Sequence, residues 1–276
     1  MSSGALIIDS NCFRRLEEPR IQESFRRILN AKNLEFWPTA LNAFELAKTR
    51  TNAIRERLLR IISALCQGSL LLPTPPSILR RIALAGLRGE IGFQTEASGL
   101  EWLLEDARDL TPEIIDQAQV LCRRIDASFE DLHAEMRSYL KENCNGKVIK
   151  EIWPSARDFL DSQWMHPEQL DTIIHGIWRI LELPGTAPIE FVLSMKGWRL
   201  YLEGLGATIF RRAISSEQGK IVQMSDLSQL VYLAGRHRTI LITEDIGFLQ
   251  TVRDVVEGRH RDVRVISWED FIRSVV

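Results

Sequence analysis

The chain has 276 residues, of which 45% are hydrophobic and 26% charged, and its 35 Lys and Arg against 37 Asp and Glu give a formal net charge of -2. This composition excludes a disordered chain, a collagen-like repeat and a disulfide scaffold, and the length allows one large domain or two modest ones. The charge balance does not mark the whole chain as a basic nucleic-acid binder, so any such surface must be local.

The four cysteines are scattered without a CxxC pair, which argues against a zinc ribbon or a disulfide framework and favours reduced thiols. The first residues carry no basic stretch before their short apolar run, so we expect no signal peptide. No segment approaches the about 20 apolar residues that a membrane-spanning helix needs. We therefore expect a cytoplasmic protein that does not contact a membrane.

The amino-terminal residues predict a strand followed by a helix. The apolar run Ala5–Ile8 stops abruptly at Asp9, which is typical of a strand buried on both faces. Strands of this kind usually belong to parallel sheets. Over residues 21–30 apolar residues recur at intervals of three and four, and this spacing predicts a helix.

A second helical stretch and a second strand follow. Thr39 is a candidate N-cap, and we predict that the helix it begins continues until Gly68 stops it. Residues 69–73 then predict another buried strand, because a run of leucines is closed there by a proline-rich turn.

Residues 78–212 have the texture of long amphipathic helices with few alternating β-branched residues. The segment is net acidic, and we expect its tryptophans to lie mostly in the core. These tryptophans are Trp102, Trp153, Trp164, Trp178 and Trp198. We assign residues 81–215 to a helical insertion and residues 1–80 and 216–276 to a common core.

The last sixty residues alternate helix and strand. Residues 226–235 predict a helix, Thr239–Thr243 a buried strand, and residues 246–256 a helix. A strand over 263–266 and a closing helix over 268–275 complete the chain. Strand–helix units at both ends imply one parallel sheet, and hence an α/β fold that a helical segment interrupts.

Two of the predicted strands run directly into acidic residues, Asp9 after the first and Asp245 shortly after Thr243. Ligands of open parallel sheets bind outside the carboxyl ends of the strands, so both aspartates are expected at one edge. Glu45, in the first long helix, and Asp226, at the start of a later one, could reach the same edge.

Several carboxylates facing one cavity repel each other unless a cation neutralises them. The pattern therefore predicts a divalent metal, and Mg²⁺ or Mn²⁺ suits hard oxygen ligands that are shared with a substrate phosphate. Such a metal activates water and polarises a phosphoryl oxygen, which points to phosphodiester hydrolysis.

Each acid also has a structural interpretation. Asp9 could end a strand or cap a turn, Asp226 could be a helix N-cap, and Glu45 could be a solvated helix residue. Glu244 is the alternative to Asp245 as the acid of the site that follows the strand Thr239–Thr243.

Taken in order, the apolar run before Asp9, the helix 42–47 with Glu45, Asp226 at a helix start and the sequence 243–245 after a strand resemble the PIN-domain nucleases. The similarity covers about residues 5–80 and 216–276. It implies a three-layer α/β/α fold with a central, mostly parallel sheet, and the long insertion before Asp226 departs from the small members of the family.

The resemblance also implies roles for individual residues. The catalytic and metal-binding acids would be Asp9, Glu45, Asp226 and Asp245. The supporting residues around them would be Ser10, Asn11 and Thr243. Separately, arginine forks match phosphate groups, so we consider four arginines as substrate-binding candidates, although loop arginines are often merely solvated. They are Arg14, Arg15, Arg236 and Arg238.

The family resemblance implies an endoribonuclease that cuts RNA in preference to DNA, leaves a 5′-phosphate and uses one or two metal ions. Small family members act as toxins or in RNA processing, so the helical insertion is a candidate for self-association or for binding an antitoxin-like protein. An aspartate-nucleophile phosphohydrolase is a weaker alternative, because it needs a second acid where this chain has Asn11. A catalytically silent PIN-like scaffold or protein-binding module is the other alternative.

Overall fold

A computed structural model describes residues 4–47, 49, 51–66, 71–90, 116, 120, 151–165, 167–214, 227–234, 238–256 and 259–274. Within these residues four strands form one parallel sheet in the order β2-β1-β3-β4. The strands are β1 (Gly4–Ile8), β2 (Leu34–Phe36), β3 (Thr239–Thr243) and β4 (Val263–Ser267). The prediction of an α/β fold around a parallel sheet is confirmed.

The α-helices among the described residues are α1 (Pro19–Ala31), α2 (Ala40–Ala47), α3 (Asn52–Cys66), α4 (Pro75–Leu87), α5 (Ala156–Phe159), α6 (Pro167–Ile180), α7 (Ile189–Ser194), α8 (Lys196–Ile214), α9 (Ile246–Val256) and α10 (Trp268–Arg273). Two 3-10 helices, Ser10–Glu17 and Gln229–Ala234, and one turn of π-helix, Leu160–Trp164, complete the regular structure there. None of the described helices has the length and apolar character that crossing a membrane requires.

Successive side chains of a strand point to opposite faces of the sheet, so both faces carry apolar side chains, and helices cover both of them. Ala5 and Ile7 of β1 belong to one hydrophobic cluster, together with residues of α4, α8 and α9. Leu6 and Ile8 belong to a second cluster, together with residues of α1, α3 and α10. Every residue of β1 and β3 is buried, which explains their continuous apolar runs.

Helices from the segment that we assigned to the insertion contribute to the first of these clusters. The described tryptophans Trp164, Trp178 and Trp198 are buried there, as expected, and each indole N–H donates to a backbone carbonyl. Trp153 is only partly buried and packs edge-on against Phe159. Trp102 lies outside the described residues, as does most of the sequence 91–150, so the division into core and insertion stays a prediction.

One prediction about the amino-terminal part is wrong, and another falls partly outside the described residues. Of the predicted strand over 69–73, residues 69 and 70 lie outside the described residues, and the described part forms an isolated parallel bridge between Leu72 and Thr39 before α4 begins at Pro75. The helix that begins after Thr39 does not continue to Gly68, because α2 ends at Ala47 and α3 begins at Asn52. The side chain of Arg55 donates to the Thr49 carbonyl at 3.0 Å and to Asn52 Oδ1 at 2.8 Å, and these hydrogen bonds hold the break between the helices.

A buried ionic cluster fastens α8 to the loop before β4. Glu203 of α8 is fully buried, and its Oε1 accepts hydrogen bonds from Arg199 at 3.0 Å and from Arg259 at 2.9 Å. Its Oε2 lies 2.8 Å from His260 Nε2, and Arg259 also pairs with Asp161. Removing one partner of such a cluster leaves an uncompensated buried charge, so its members depend on each other.

Candidate functional site

Asp9 and Asp245 lie at the same edge of the sheet. Asp9 follows β1 and Asp245 follows β3, and these strands are neighbours in parallel register, with Ile8 opposite Ile242. The chain leaves β1 towards β2 on one side, whereas β3 lies on the other side. The carboxyl ends of β1 and β3 therefore flank a point where the strand order changes direction, which is where open α/β sheets bind ligands.

The Asp9 carboxylate is held almost without solvent contact, since the residue is only 2% exposed. Thr243 Oγ1 donates to its Oδ2 at 2.7 Å, and Gln229 Nε2 donates to its Oδ1 at 3.0 Å. The backbone N–H of Asp9 donates to the Ile242 carbonyl at 2.8 Å, so the main chain is fixed as well. A carboxylate has about four acceptor positions, and these two donors together with the Ser10 backbone N–H leave about one of them free.

Burial raises the pKa of Asp9 above its ordinary value. Hydrogen bonds from Thr243, Gln229 and the Ser10 backbone act against this effect, whereas the negative charge of Asp245 raises the pKa further. The site therefore disfavours the ionised form of Asp9, and a nearby cation would offset that cost.

Thr243 connects the two aspartates. Its hydroxyl donates to Asp9 and accepts from the Asp245 backbone N–H at 3.0 Å. Asp245 in turn caps α9, because its Oδ1 accepts from the Phe248 N–H at 2.9 Å. Asp245 is thus the N-cap of α9, and this hydrogen bond fixes the direction in which its carboxylate points.

Ser10 and Asn11 join the loops that follow β1 and β3. Asn42 donates through Nδ2 to Ser10 Oγ at 3.1 Å and to the Ile8 carbonyl at 2.9 Å. Asn11 Oδ1 accepts the Glu244 backbone N–H at 3.3 Å. The three candidate supporting residues Ser10, Asn11 and Thr243 are thus brought together around Asp9.

Asn42 can reach β1 because Thr39 fixes the start of α2. Thr39 Oγ1 accepts the Asn42 N–H at 3.1 Å, and Asn42 Oδ1 accepts the Thr39 N–H at 3.2 Å. This reciprocal arrangement is a capping box, so Thr39 is the N-cap that the sequence predicts.

Glu45 is half-buried on α2 and lies within electrostatic reach of Tyr232. Burial raises the pKa of Tyr232, and the negative charge of Glu45 acts in the same direction. Tyr232 and Gln229 are three residues apart on one 3-10 helix, so their side chains lie on the same side of it. The 3-10 helix thus contacts Asp9 through Gln229, and its Tyr232 lies within electrostatic reach of Glu45.

The arginine candidates divide into two groups. Arg14 and Arg15 are exposed on the 3-10 helix that follows Asp9, and Arg15 Nε lies 2.7 Å from Glu244 Oε1. Arg238 is not brought to this edge, because its carbonyl accepts the Ala5 N–H at 2.9 Å at the amino end of the sheet. Asp226 and Arg236 lie outside the described residues.

Sequence analysis missed Gln229, which contacts Asp9 directly. The residue is only 1% exposed, and its Oε1 is buried without a hydrogen-bond donor from the described part of the chain. It sits three residues after Asp226, directly before the run Leu230–Leu233, and an amide at the start of such a run was the available signal. The close packing of Gly204 against Leu230, where a Cβ would approach to 2.3 Å, holds this helix in position.

Within the ranges that the structure describes, three or more His, Cys, Asp or Glu side chains nowhere converge as a metal site would require. Comparisons with protein-family models, with curated proteins and with solved structures find no match to this chain. Interpretation of the site therefore depends on its own geometry and chemistry.

Proposed function

We propose that the chain is a metal-dependent nuclease of PIN-like architecture that hydrolyses phosphodiester bonds, with RNA preferred over DNA. The observation that carries the proposal is the position of Asp9 and Asp245 at the switch point of a parallel sheet, with Asp9 buried and its pKa raised. Carboxyl groups with perturbed pKa values cluster at functional sites, and ligands of open α/β sheets bind at this kind of edge.

The donor set suits a hard divalent cation. Asp9 and Asp245 supply carboxylate oxygens, and Gln229 Oε1 is a buried amide oxygen to which the described residues donate no hydrogen bond. Mg²⁺ and Mn²⁺ prefer oxygen ligands of this kind. Asp226 and Glu45 complete the proposed set of acids, and Asp226 is only three residues from Gln229 in the sequence.

When bound, such an ion would supply Lewis acidity and a water of lowered pKa. The chain's own contribution is orientation: Thr243 and Gln229 hold the Asp9 carboxylate, and Asn42 holds the turn beside Ser10. Arg14 is exposed on the 3-10 helix that follows Asp9, which supports its proposed contact with a phosphate of the substrate.

Cleavage of a labelled RNA oligonucleotide tests the proposal. We expect the protein to cut it in Mg²⁺ or Mn²⁺, to leave 5′-phosphate ends and to be inactive in EDTA. Asp9→Asn should abolish cutting while the protein stays folded, and Asp171→Asn, at an exposed position on α6, serves as the matched control. Undiminished cutting by Asp9→Asn would rule out this site.

A non-catalytic PIN-like binding module is the second candidate. It is favoured by the hydrogen bonds that already occupy both Asp9 oxygens and by the capping role of Asp245. In that case the acids serve the fold, and neither metal binding nor RNA cleavage should be detected.

A further inference from the structure

We propose that the outer edge of β4 is a docking site for an extended acidic peptide segment of a partner protein, which would add a strand to the sheet. A cavity of about 280 Å³ lies at this edge, and β2 forms the opposite edge of the sheet. It is lined by Arg253, Val256, His260, Arg261 and residues 263–266.

The lining shows that the cavity faces the edge of β4 rather than one face of the sheet. Val263 and Val265 point to the cluster that contains α9, whereas Arg264 and Ile266 alternate to the opposite face. Four consecutive strand residues can line one cavity only when it lies alongside the backbone that they share.

That backbone has unused hydrogen-bonding groups. The Thr239 N–H donates to the Asp262 carbonyl at 3.0 Å, and the register places Leu241 opposite Val265. Alternate residues of a parallel strand face its partner, so the peptide groups of Arg264 and Ile266 face β3 and those of Val265 face outwards. No described strand pairs with that outer side, and such an edge is a template for strand addition.

The charge of the cavity indicates the chemistry of the occupant. Three arginines and one histidine line it, and its described lining contains no acid. Arg261 and Arg264 are exposed and make no ion pair with the described residues, whereas Arg253 approaches Asp270 at 3.7 Å and His260 contacts Glu203. Acidic side chains on a docked strand would meet unneutralised guanidinium groups.

Two other occupants fit less well. Single-stranded nucleic acid usually binds where aromatic rings accept its bases, but the non-basic lining here is aliphatic, from Val256, Val263, Val265 and Ile266. A second copy of this chain would bring the same basic side chains against this edge, and like charges oppose such pairing.

Fluorescence anisotropy with the full chain tests the proposal. The probe is a labelled seven-residue peptide in which valine and glutamate alternate, and the control is the corresponding valine–lysine peptide. We expect saturable binding of the acidic peptide only. The double variant Arg261→Glu and Arg264→Glu should weaken it at least about tenfold, because charge reversal at both positions repels the probe. Arg179→Glu, at an exposed position on α6, is the matched control and should bind normally.

A second probe separates strand pairing from charge attraction. Methylating alternate backbone nitrogens of the acidic peptide removes its strand-forming N–H groups without changing its charge, and we expect at least about tenfold weaker binding. Equal binding of the methylated and unmethylated peptides would overturn the proposal. The proposal would also be overturned if a single-stranded RNA bound more tightly than the peptide and the Arg261 and Arg264 reversals weakened that binding. It would likewise be overturned if the chain formed a dimer that these reversals dissociate. Asp9→Asn should not affect peptide binding, so this proposal stands or falls separately from the nuclease.

Discussion

Asp9→Asn should make the metal-free protein more stable at neutral pH. Because the pKa of Asp9 is raised in the folded state, its ionised form costs folding free energy. That cost is absent below the ordinary pKa of 3.8, where the group is protonated in both states; it grows between 3.8 and the folded-state value and is fully present above that value. The substitution removes the charge and keeps the shape.

The size of the gain follows from two opposing effects. Hydrogen bonds to charged groups contribute about 1.5–3 kcal/mol and neutral ones about 0.5–1.5 kcal/mol, so the bonds from Thr243 and Gln229 should weaken by about 1 kcal/mol each. Relieving a buried ion gains several kcal/mol. If the Gln229 amide turns over, its Oε1 also acquires a donor. We expect a net gain of about 1–2 kcal/mol, equivalent to a rise of about 2–6 °C in Tm for a chain of this size.

Thermal unfolding in EDTA at pH 8 and at pH 5 measures this effect. The variant should unfold at a higher temperature than the natural chain at pH 8, and the difference should shrink at pH 5. Asp171→Asn, on the surface, should change the free energy of unfolding by less than about 0.5 kcal/mol at either pH. A lower Tm of Asp9→Asn at pH 8, or the same gain at both pH values, would show that the buried charge of Asp9 does not destabilise the fold.

Three further predictions concern the Gln229 contact with Asp9, the buried Glu203 cluster and the packing of Gly204. Gln229→Glu places a second carboxylate against Asp9, so in EDTA it should lower the free energy of unfolding by about 3 kcal/mol. Mn²⁺ should raise the Tm of this variant more than it raises the Tm of the natural chain. An unchanged Tm of the variant in EDTA would contradict the prediction. Glu203→Gln should cost about 2–3 kcal/mol in urea unfolding, since the hydrogen bonds that Glu203 accepts lose their charge and Arg259 keeps only its exposed partner Asp161, and a loss below about 1 kcal/mol would show that the cluster is dispensable. Gly204→Ala should lower the free energy of unfolding by about 1–3 kcal/mol, because its methyl group would approach the Leu230 side chain of the 3-10 helix at 2.3 Å. Gly176→Ala, on α6, is the control, because its methyl group would meet no atom within 4 Å and should not destabilise the helix.

The strands of the sheet could be predicted where burial on both faces leaves a continuous apolar run. Residues 4–8 and 239–243 have this property, and both strands are where the sequence places them. β2 has only three residues, with the exposed Glu35 between Leu34 and Phe36, and a pattern this short does not stand out. Its place in the sheet comes from pairing with β1, which is a tertiary effect.

The common edge of Asp9 and Asp245 also follows from the sequence, because both residues come after parallel strands. The same rule argues against Arg238, since the residue immediately before a parallel strand lies at the opposite end of the sheet. Gln229 could not be found by a search for carboxylates. Its importance depends on a 3-10 helix that turns its amide towards Asp9, and apolar periodicity does not specify that direction.

Calorimetric titration with Mn²⁺ tests most directly whether this edge of the sheet binds a divalent ion. We predict saturable binding to the natural chain, loss of that binding in Asp9→Asn and its retention in Asp171→Asn. A silent titration of the folded natural chain, or equal binding by all three proteins, would contradict it.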